Sequence, residues 1–277
     1  YTSIESIVIP SSVKVIKTFA FFACNKLKSL QFMKDSQLEM ISENFVSAEH
    51  LEHIKIPNKV KIIKENGFNY CNNLKEIELS DDSNLTTIED CSFYDCSITK
   101  FYIPPQLKDI SNFLQNMSSL NEVCISPKNK HFSLINDGKI VVGKSDENSD
   151  NYDVILFAIK NIEHISIPSN IKKINPSAFN SLYNITTFEF APNSHLETIC
   201  KSSFFGTSLS KIVIPDSVKV IEDCAFENCY KNDIEVIISE NSQLQLEYVH
   251  LDVQILNTFL FQNLLNLLEA VHFMEVH

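Results

Sequence analysis

Arginine and tryptophan are absent from this 277-residue chain, and glycine is scarce at four residues. All 23 basic side chains are therefore lysines, hydrated point charges without the two-pronged fork that matches phosphate and guanine. Together with a net charge of −12, this argues against nucleic acid as a partner. The few glycines form no phosphate-binding loop, and neither a nucleophile elbow nor a paired-carboxylate motif occurs. Nothing therefore points to an enzyme or to a cofactor. No run of 18 apolar residues is present, so no direct membrane span is expected in this segment. What the chain does have is 44% apolar content, 20 phenylalanines and eight cysteines.

Those residues recur with a period. Residues 7–24 read IVIPSSVKVIKTFAFFAC and residues 212–229 read IVIPDSVKVIEDCAFENC. The apolar residue that opens L-x-x-I-x-I recurs at Ile4, Leu27, Leu51, Leu74, Ile98, Leu120, Ile162, Ile185, Leu209 and Ile234. Apart from one step of 42, the spacings are 22–25 residues, so the two similar stretches belong to the first and ninth of ten coils. Each coil starts with the period-two alternation of a short strand buried on one face. Pro10, Pro57, Pro104, Pro168 and Pro215 stop that strand in odd coils, since proline cannot donate to a ladder. Even coils use polar turns ending in Leu, as in DSQLEMI, DSNLTTI and NSHLETI. A second Ile follows, at 16, 41, 63, 88, 174, 199 and 221. Five residues beyond it stands Phe21, Val46, Phe68, Phe93, Phe179, Phe204 or Phe226. A coil this small cannot close its own core, and stacked coils share one.

The strand–IP–V–I–AF–C–L pattern resembles the BspA-like leucine-rich repeats of bacterial and protist surface proteins, over about residues 4–243. The resemblance implies an α/β repeat solenoid, with a parallel sheet on the concave face and short turns or helical segments on the convex face. It implies a cell-surface or secreted protein that mediates adhesion, binding a protein or extracellular-matrix ligand of a host or neighbouring cell. The alternative is an intracellular leucine-rich-repeat scaffold. No catalytic residue carries over from the family, and the sequence sets no oligomeric state.

Three features depart from the period or decorate it. The long step holds an insert at about 126–161, where Asn136-Asp137-Gly138 between apolar runs signals a hairpin. The insert is a candidate contact loop, although a structural spacer is the plainer reading. Residues 244–277 drop the pattern. A capping helix with Leu256, Leu260, Leu264, Leu267 and Val271 on one face is one reading, and translation out of frame from repeat-coding sequence is the preferred one. Finally, Asn84, Asn116 and Asn184 stand in glycosylation sequons.

The cysteines fall on repeat positions. Cys24, Cys71, Cys96 and Cys229 share the eighth position after the second Ile with Leu182, and Cys91 and Cys224 share the third with Phe19. Both positions read as apolar core slots, not as metal ligands. Cys71 and Cys96, in the same slot of adjacent coils, are close enough in sequence logic to raise a disulfide, though slot position alone cannot establish one. The candidate binding surface is the outward face of the strands, about 45 Å long for ten coils at strand spacing. Its central charged stretch is Glu76, Glu78, Lys100, Tyr102 and Glu122, flanked by His53, Lys55 and, four coils on from His53, His164. Outward pairs at the ends include Ser6 with Val8 and Val236 with Ile238.

Overall fold

The computed structural model describes residues 3–110, 113–114, 117–229, 234–239, 241–242 and 244. The chain forms two compact units, Tyr1–Ser149 and Asp150–His277. In unit 1 the strands are β1 (Ser6–Ile9), β2 (Ser29–Phe32), β3 (Met40–Ile41), β4 (His53–Lys55), β5 (Ile62–Ile63) and β6 (Glu76–Glu78). They continue with β7 (Thr87–Ile88), β8 (Lys100–Ile103), β9 (Glu122–Ile125), β10 (Ser133–Ile135) and β11 (Ile140–Gly143). Unit 2 holds β12 (Val154–Ala158), β13 (His164–Ile167), β14 (Lys173–Ile174), β15 (Thr187–Phe190), β16 (Thr198–Ile199), β17 (Lys211–Ile214), β18 (Val220–Ile221) and β19 (Glu235–Ile238).

Each coil opens, as the alternation requires, with a strand whose central apolar residue is buried. Leu30, Ile54, Ile77, Phe101, Ile165 and Phe188 point inward, while their neighbours face out. These strands are hydrogen-bonded in twos: β1–β2, β4–β6 and β8–β9 in unit 1, β13–β15 and β17–β19 in unit 2, all parallel. The next strand over (β2 to β4, β6 to β8, β15 to β17) lies alongside without a ladder.

The alternating turn chemistry matches this pairing. In odd coils the turn closes on proline, with Val13, Val60, Ile171 and Val218 donating to the carbonyls of Pro10, Pro57, Pro168 and Pro215 at 3.0–3.3 Å. In even coils a serine hydroxyl stands in for the turn carbonyl. Ser36, Ser83 and Ser194 accept from the N–H of Leu38, Leu85 and Leu196. The longer serine turn then docks on the coil before it, through Gln37 N–H to Ser11 O, Asn84 N–H to Asn58 O and His195 N–H to Ser169 O at 2.9–3.0 Å. The structural repeat is thus a module of two coils.

The far side of the coil differs from expectation. Among the described residues there is no α-helix, so the helical segments implied for the convex face are replaced by turns and a second parallel ladder. In unit 1 this ladder is β3–β5–β7, and in unit 2 it is β12–β14–β16–β18; all but β12, which comes from the insert, carry the second Ile of their coil. The reason lies in the backbone of the segment that follows. Phe19, Asn44, Asn66, Cys91, Ser177, Ser202 and Cys224, each three residues after the second Ile, have φ between 47° and 62°. Ala23, Tyr70, Asp95, Ser181, Gly206 and Asn228, four residues further on, are left-handed too. A right-handed helix cannot contain a left-handed residue at every turn. The chain instead runs as successive tight turns whose free N–H groups reach the neighbouring coil, as in Phe68 N–H to Ser92 O (2.8 Å) and Phe204 N–H to Ala225 O (2.8 Å).

This geometry corrects one of the two cysteine slots. The third position after the second Ile is a surface turn position: Phe19 is 56% exposed, and Cys91 and Cys224 are half-buried. The eighth position is core, with Cys24, Cys71, Cys96 and Leu182 buried. The thiols there also bridge coils, since Cys71, Cys96 and Cys229 each donate to the carbonyl of Val46, Phe68 or Phe204 in the preceding coil. A methylene-sized side chain with a weak donor suits a slot that faces both the core and a carbonyl. None of the eight cysteines is joined in a disulfide, Cys71 and Cys96 included.

Phenylalanine fills the interior between the ladders. In unit 1, Phe45, Phe68 and Phe93 follow one another at 5.9 and 5.5 Å, and Phe93 meets Phe101 and Phe113. In unit 2, Phe179, Phe204 and Phe226 stack at 5.1 Å intervals, with Phe188 edge-on to the first two.

Candidate functional site

The outward residues of the first strands come together in unit 1 as the register dictates: His53 lies beside Glu76, Lys55 beside Glu78, Lys100 beside Glu122 and Tyr102 beside Cys124. Within each two-coil module the charges pair. Glu78 takes Lys55 as an ion-pair partner and lies 3.7 Å from His53 Nε2, and Lys100 Nζ is 2.7 Å from Glu122 Oε1. The Glu122 carboxylate raises the Lys100 pKa above its ordinary value, and the Lys100 ammonium holds Glu122 below its own. The same pattern recurs away from the candidate patch, with Lys28 on Glu5 (2.9 Å), Lys75 on Glu52 (3.5 Å) and, in unit 2, Lys211 on Glu235 (3.0 Å). Being exposed, these pairs contribute little to stability singly. They leave a surface of alternating charge in which Glu76 has no ionic partner among the described residues. His164 belongs to unit 2, where its Nδ1 is 2.7 Å from Thr187 Oγ1.

Asp81 is the residue that the sequence pattern missed. Its carboxylate accepts from the Tyr102 hydroxyl and from Ser126 Oγ, the latter at 2.5 Å. It belongs to the serine turn of the fourth coil, whereas Tyr102 and Ser126 lie in the fifth and sixth. One carboxylate therefore bridges the gap between β6 and β8 that no ladder closes. The Ser126 and then the Tyr102 hydrogen bond hold Asp81 below the usual carboxylate range. Partial burial, then the bond to Asp81, pushes the Tyr102 phenol up. The only prior signal was a second Asp in DDSNL, where an ordinary turn needs one.

The insert packs more than it projects. β10 and β11 form an antiparallel hairpin, with Leu134 opposite Val141, through a left-handed turn at Asn136, Asp137 and Gly138. Ile140, Val141 and Val142 in succession are buried, so both faces of β11 are covered. What remains at the surface is the turn and the polar loop 144–151. Asn84 and Asn184 are exposed, whereas Asn116 lies outside the described residues. Residues 245–277, with the capping-helix and out-of-frame readings, also lie outside them. The last described strand does correct the sequence register by one residue. Lys211 pairs with Glu235 and Ile212 with Val236, so Val236 is buried and Glu235 and Ile237 take the outward positions expected for Val236 and Ile238. Among the described residues no cluster of His, Cys, Asp and Glu is arranged to hold a metal ion, and no helix is long and apolar enough to cross a membrane.

Comparison with known families matches residues 1–121 and 146–233 to the BspA type leucine rich repeat region, in six copies. The chain belongs to the BspA-type leucine-rich-repeat family. Among solved structures, the pneumococcal vaccine antigen PcpA is similar at 25% identity and a TM-score of 0.64, covering 86% of this chain. This BspA-type chain spans 62% of the length of PcpA. A leucine rich cell surface protein from Faecalibacterium prausnitzii matches 84% of the chain and 79% of its own length, at 20% identity and a TM-score of 0.50. A leucine-rich repeat protein from Eubacterium ventriosum shares the fold at 15% identity and a TM-score of 0.60, over 80% of this chain and 62% of its own. No curated protein matches at the level of sequence.

Proposed function

We propose that this BspA-type protein acts at the cell surface or after secretion, binding a protein or extracellular-matrix ligand, with residues 1–243 as its repeat region. The observation that carries the reading is the outward face of β4, β6, β8 and β9. There Glu76, Glu78, Lys100, Tyr102, Glu122, His53 and Lys55 form a largely exposed, charge-alternating surface, laddered within each pair of strands. Such a surface offers many modest contacts and no deep pocket, which suits an extended macromolecular partner better than a small molecule. Two structural relatives, one a pneumococcal vaccine antigen and one a cell surface protein, support the location. On this reading the insert contributes its turn and polar loop to binding.

The test is a pull-down from matrix and host-cell surface extracts with the whole chain, beside a variant carrying Glu76→Ala, Lys100→Ala and Tyr102→Ala. Loss of a captured protein in the variant, with unchanged circular dichroism, supports the reading; identical capture sinks the assigned surface. Mass spectrometry of protein from its natural source supplies the location. Glycan on Asn84 or Asn184 supports export, and an unmodified protein recovered from the cell interior favours the scaffold alternative.

A further inference from the structure

A second seam between two-coil modules lies in unit 2, between β15 and β17, where again no ladder joins the strands. Aligning coil openings (Leu74 with Ile185, Ile98 with Leu209) puts Pro192 where Asp81 stands and Val213 where Tyr102 stands. Ser239 corresponds to Ser126 by strand register, because Glu235 pairs with Lys211 as Glu122 does with Lys100. Pro192 offers no side-chain acceptor, and the Ser239 hydroxyl donates to Asp216 within its own module. Among the described residues no side chain then bridges the seam on this face, and a groove of about 730 Å³ opens along it.

The lining has a definite chemistry. Phe190, Val213 and Pro215 give it an apolar floor, and Val213 is 54% exposed. Glu189 and Asp216 stand at the groove, and among the described residues no lysine lines it; the nearby Lys211 is held by Glu235. Ser217, also in the lining, has an Oγ shielded from solvent with no hydrogen-bond partner among the described residues. A shielded hydroxyl without a partner is uncommon and costly, and a bound polar group would relieve it.

We propose that this seam is a binding groove for an extended peptide segment in which a lysine or arginine neighbours an aliphatic residue. The aliphatic side chain covers Val213 and Pro215, the cation meets Glu189 and Asp216, and a main-chain group of the peptide satisfies Ser217 Oγ. Two carboxylates without a competing lysine select the cation, and the apolar floor rejects a wholly polar peptide. The site is independent of the surface proposed in unit 1.

The probe is a fluorescent, end-blocked peptide alternating Lys and Leu, titrated against the whole chain by anisotropy. A Lys–Ser peptide of equal charge and a Glu–Leu peptide serve as controls. Wild type binds Lys–Leu in preference to both controls. Glu189→Lys, a surface change that leaves packing intact, weakens binding about tenfold, as the loss of one charge-assisted contact would. Pro192→Asp with Val213→Tyr transplants the clamp and abolishes binding, while Glu76→Ala leaves it unchanged. The proposal is overturned if the Lys–Leu peptide does not bind, if Lys–Ser binds equally through bulk charge, or if Glu189→Lys binds as wild type does. Should the transplanted clamp fail to fold by circular dichroism, Glu189→Lys alone decides.

Discussion

The two seams occupy the same place in the repeat and share its architecture, yet one is bridged and the other open. At β6/β8, Asp81 gathers Tyr102 and Ser126 from two later coils. At β15/β17, Pro192 and Val213 stand in the corresponding places and a groove remains. Phenylalanines lie beneath both, although Phe93 meets Phe101 across the first seam, whereas Phe204 meets Phe188 within the coil before the second, with Ile212 in the place of Phe101. Side chains at the turn position and the strand opposite it set whether a clamp spans the first-strand seam. A repeat scaffold can thereby vary its binding surfaces while keeping its coil repeat.

That comparison can be broken at its foundation first. Phe93→Ala and Phe204→Ala should each destabilise their unit by about 3–5 kcal/mol, by lost burial and a residual cavity. Denaturant unfolding checks this, and a large inequality between the two would show that the interiors differ in strength as well. Next in size is reactivity in the core slot. Burial pushes the Cys71 thiol up to about 12, so at pH 8 it is ionised about a thousandfold less than an ordinary thiol. In native protein a thiol-specific reagent should label Cys124 and Cys224 early and Cys71 and Cys96 only on unfolding. Early labelling of Cys71 would contradict the buried slot.

Asp81→Ala addresses the clamp itself. Its folded pKa lies below the unfolded value, so its stabilisation is present above the unfolded pKa and is lost as pH falls through the folded one. The stability gap between wild type and Asp81→Ala should therefore narrow on acidification below the ordinary carboxylate pKa, as followed by thermal melts across that range. The same variant should return the Tyr102 phenol towards its ordinary titration, read by ultraviolet difference spectroscopy against Tyr102→Phe. The smallest effect belongs to the insert. Gly138 has φ of 81° with open space about its Cα, so Gly138→Ala should cost about 1 kcal/mol of backbone strain and no packing. A much larger loss would mean that the turn is packed.

Much of the fold was legible because burial repeats with the coil. From the second coil to the ninth, the inward residues of the first strands, the second Ile and the Phe slot follow from periodicity and are buried where it puts them, whereas in the first coil Ile7 and Phe21 are half-buried. The Cys91 and Cys224 slot was not legible, because a shared apolar identity at Phe19 suggested burial where the common requirement is a left-handed turn. The tenth coil slipped by one residue because Ile234 and Ile237 satisfy the opening spacing, while only the pairing of Lys211 with Glu235 fixes the face. Of the candidate patch, the sequence supplied the exposed residues of β4, β6, β8 and β9, but not Asp81, whose role depends on two partners 21 and 45 positions away.

By itself the sequence determined the period, the residues that must be buried and the two turn chemistries, since each follows from local pattern and the exclusion of apolar groups from water. Tertiary structure alone decided that the first strands pair in twos, that a second ladder takes the place of helices, and that one seam carries a clamp while another holds a groove. Those outcomes depend on which backbone groups of one coil face those of the next. Hydrogen bonds between segments more than twenty residues apart leave no trace in the composition of either one.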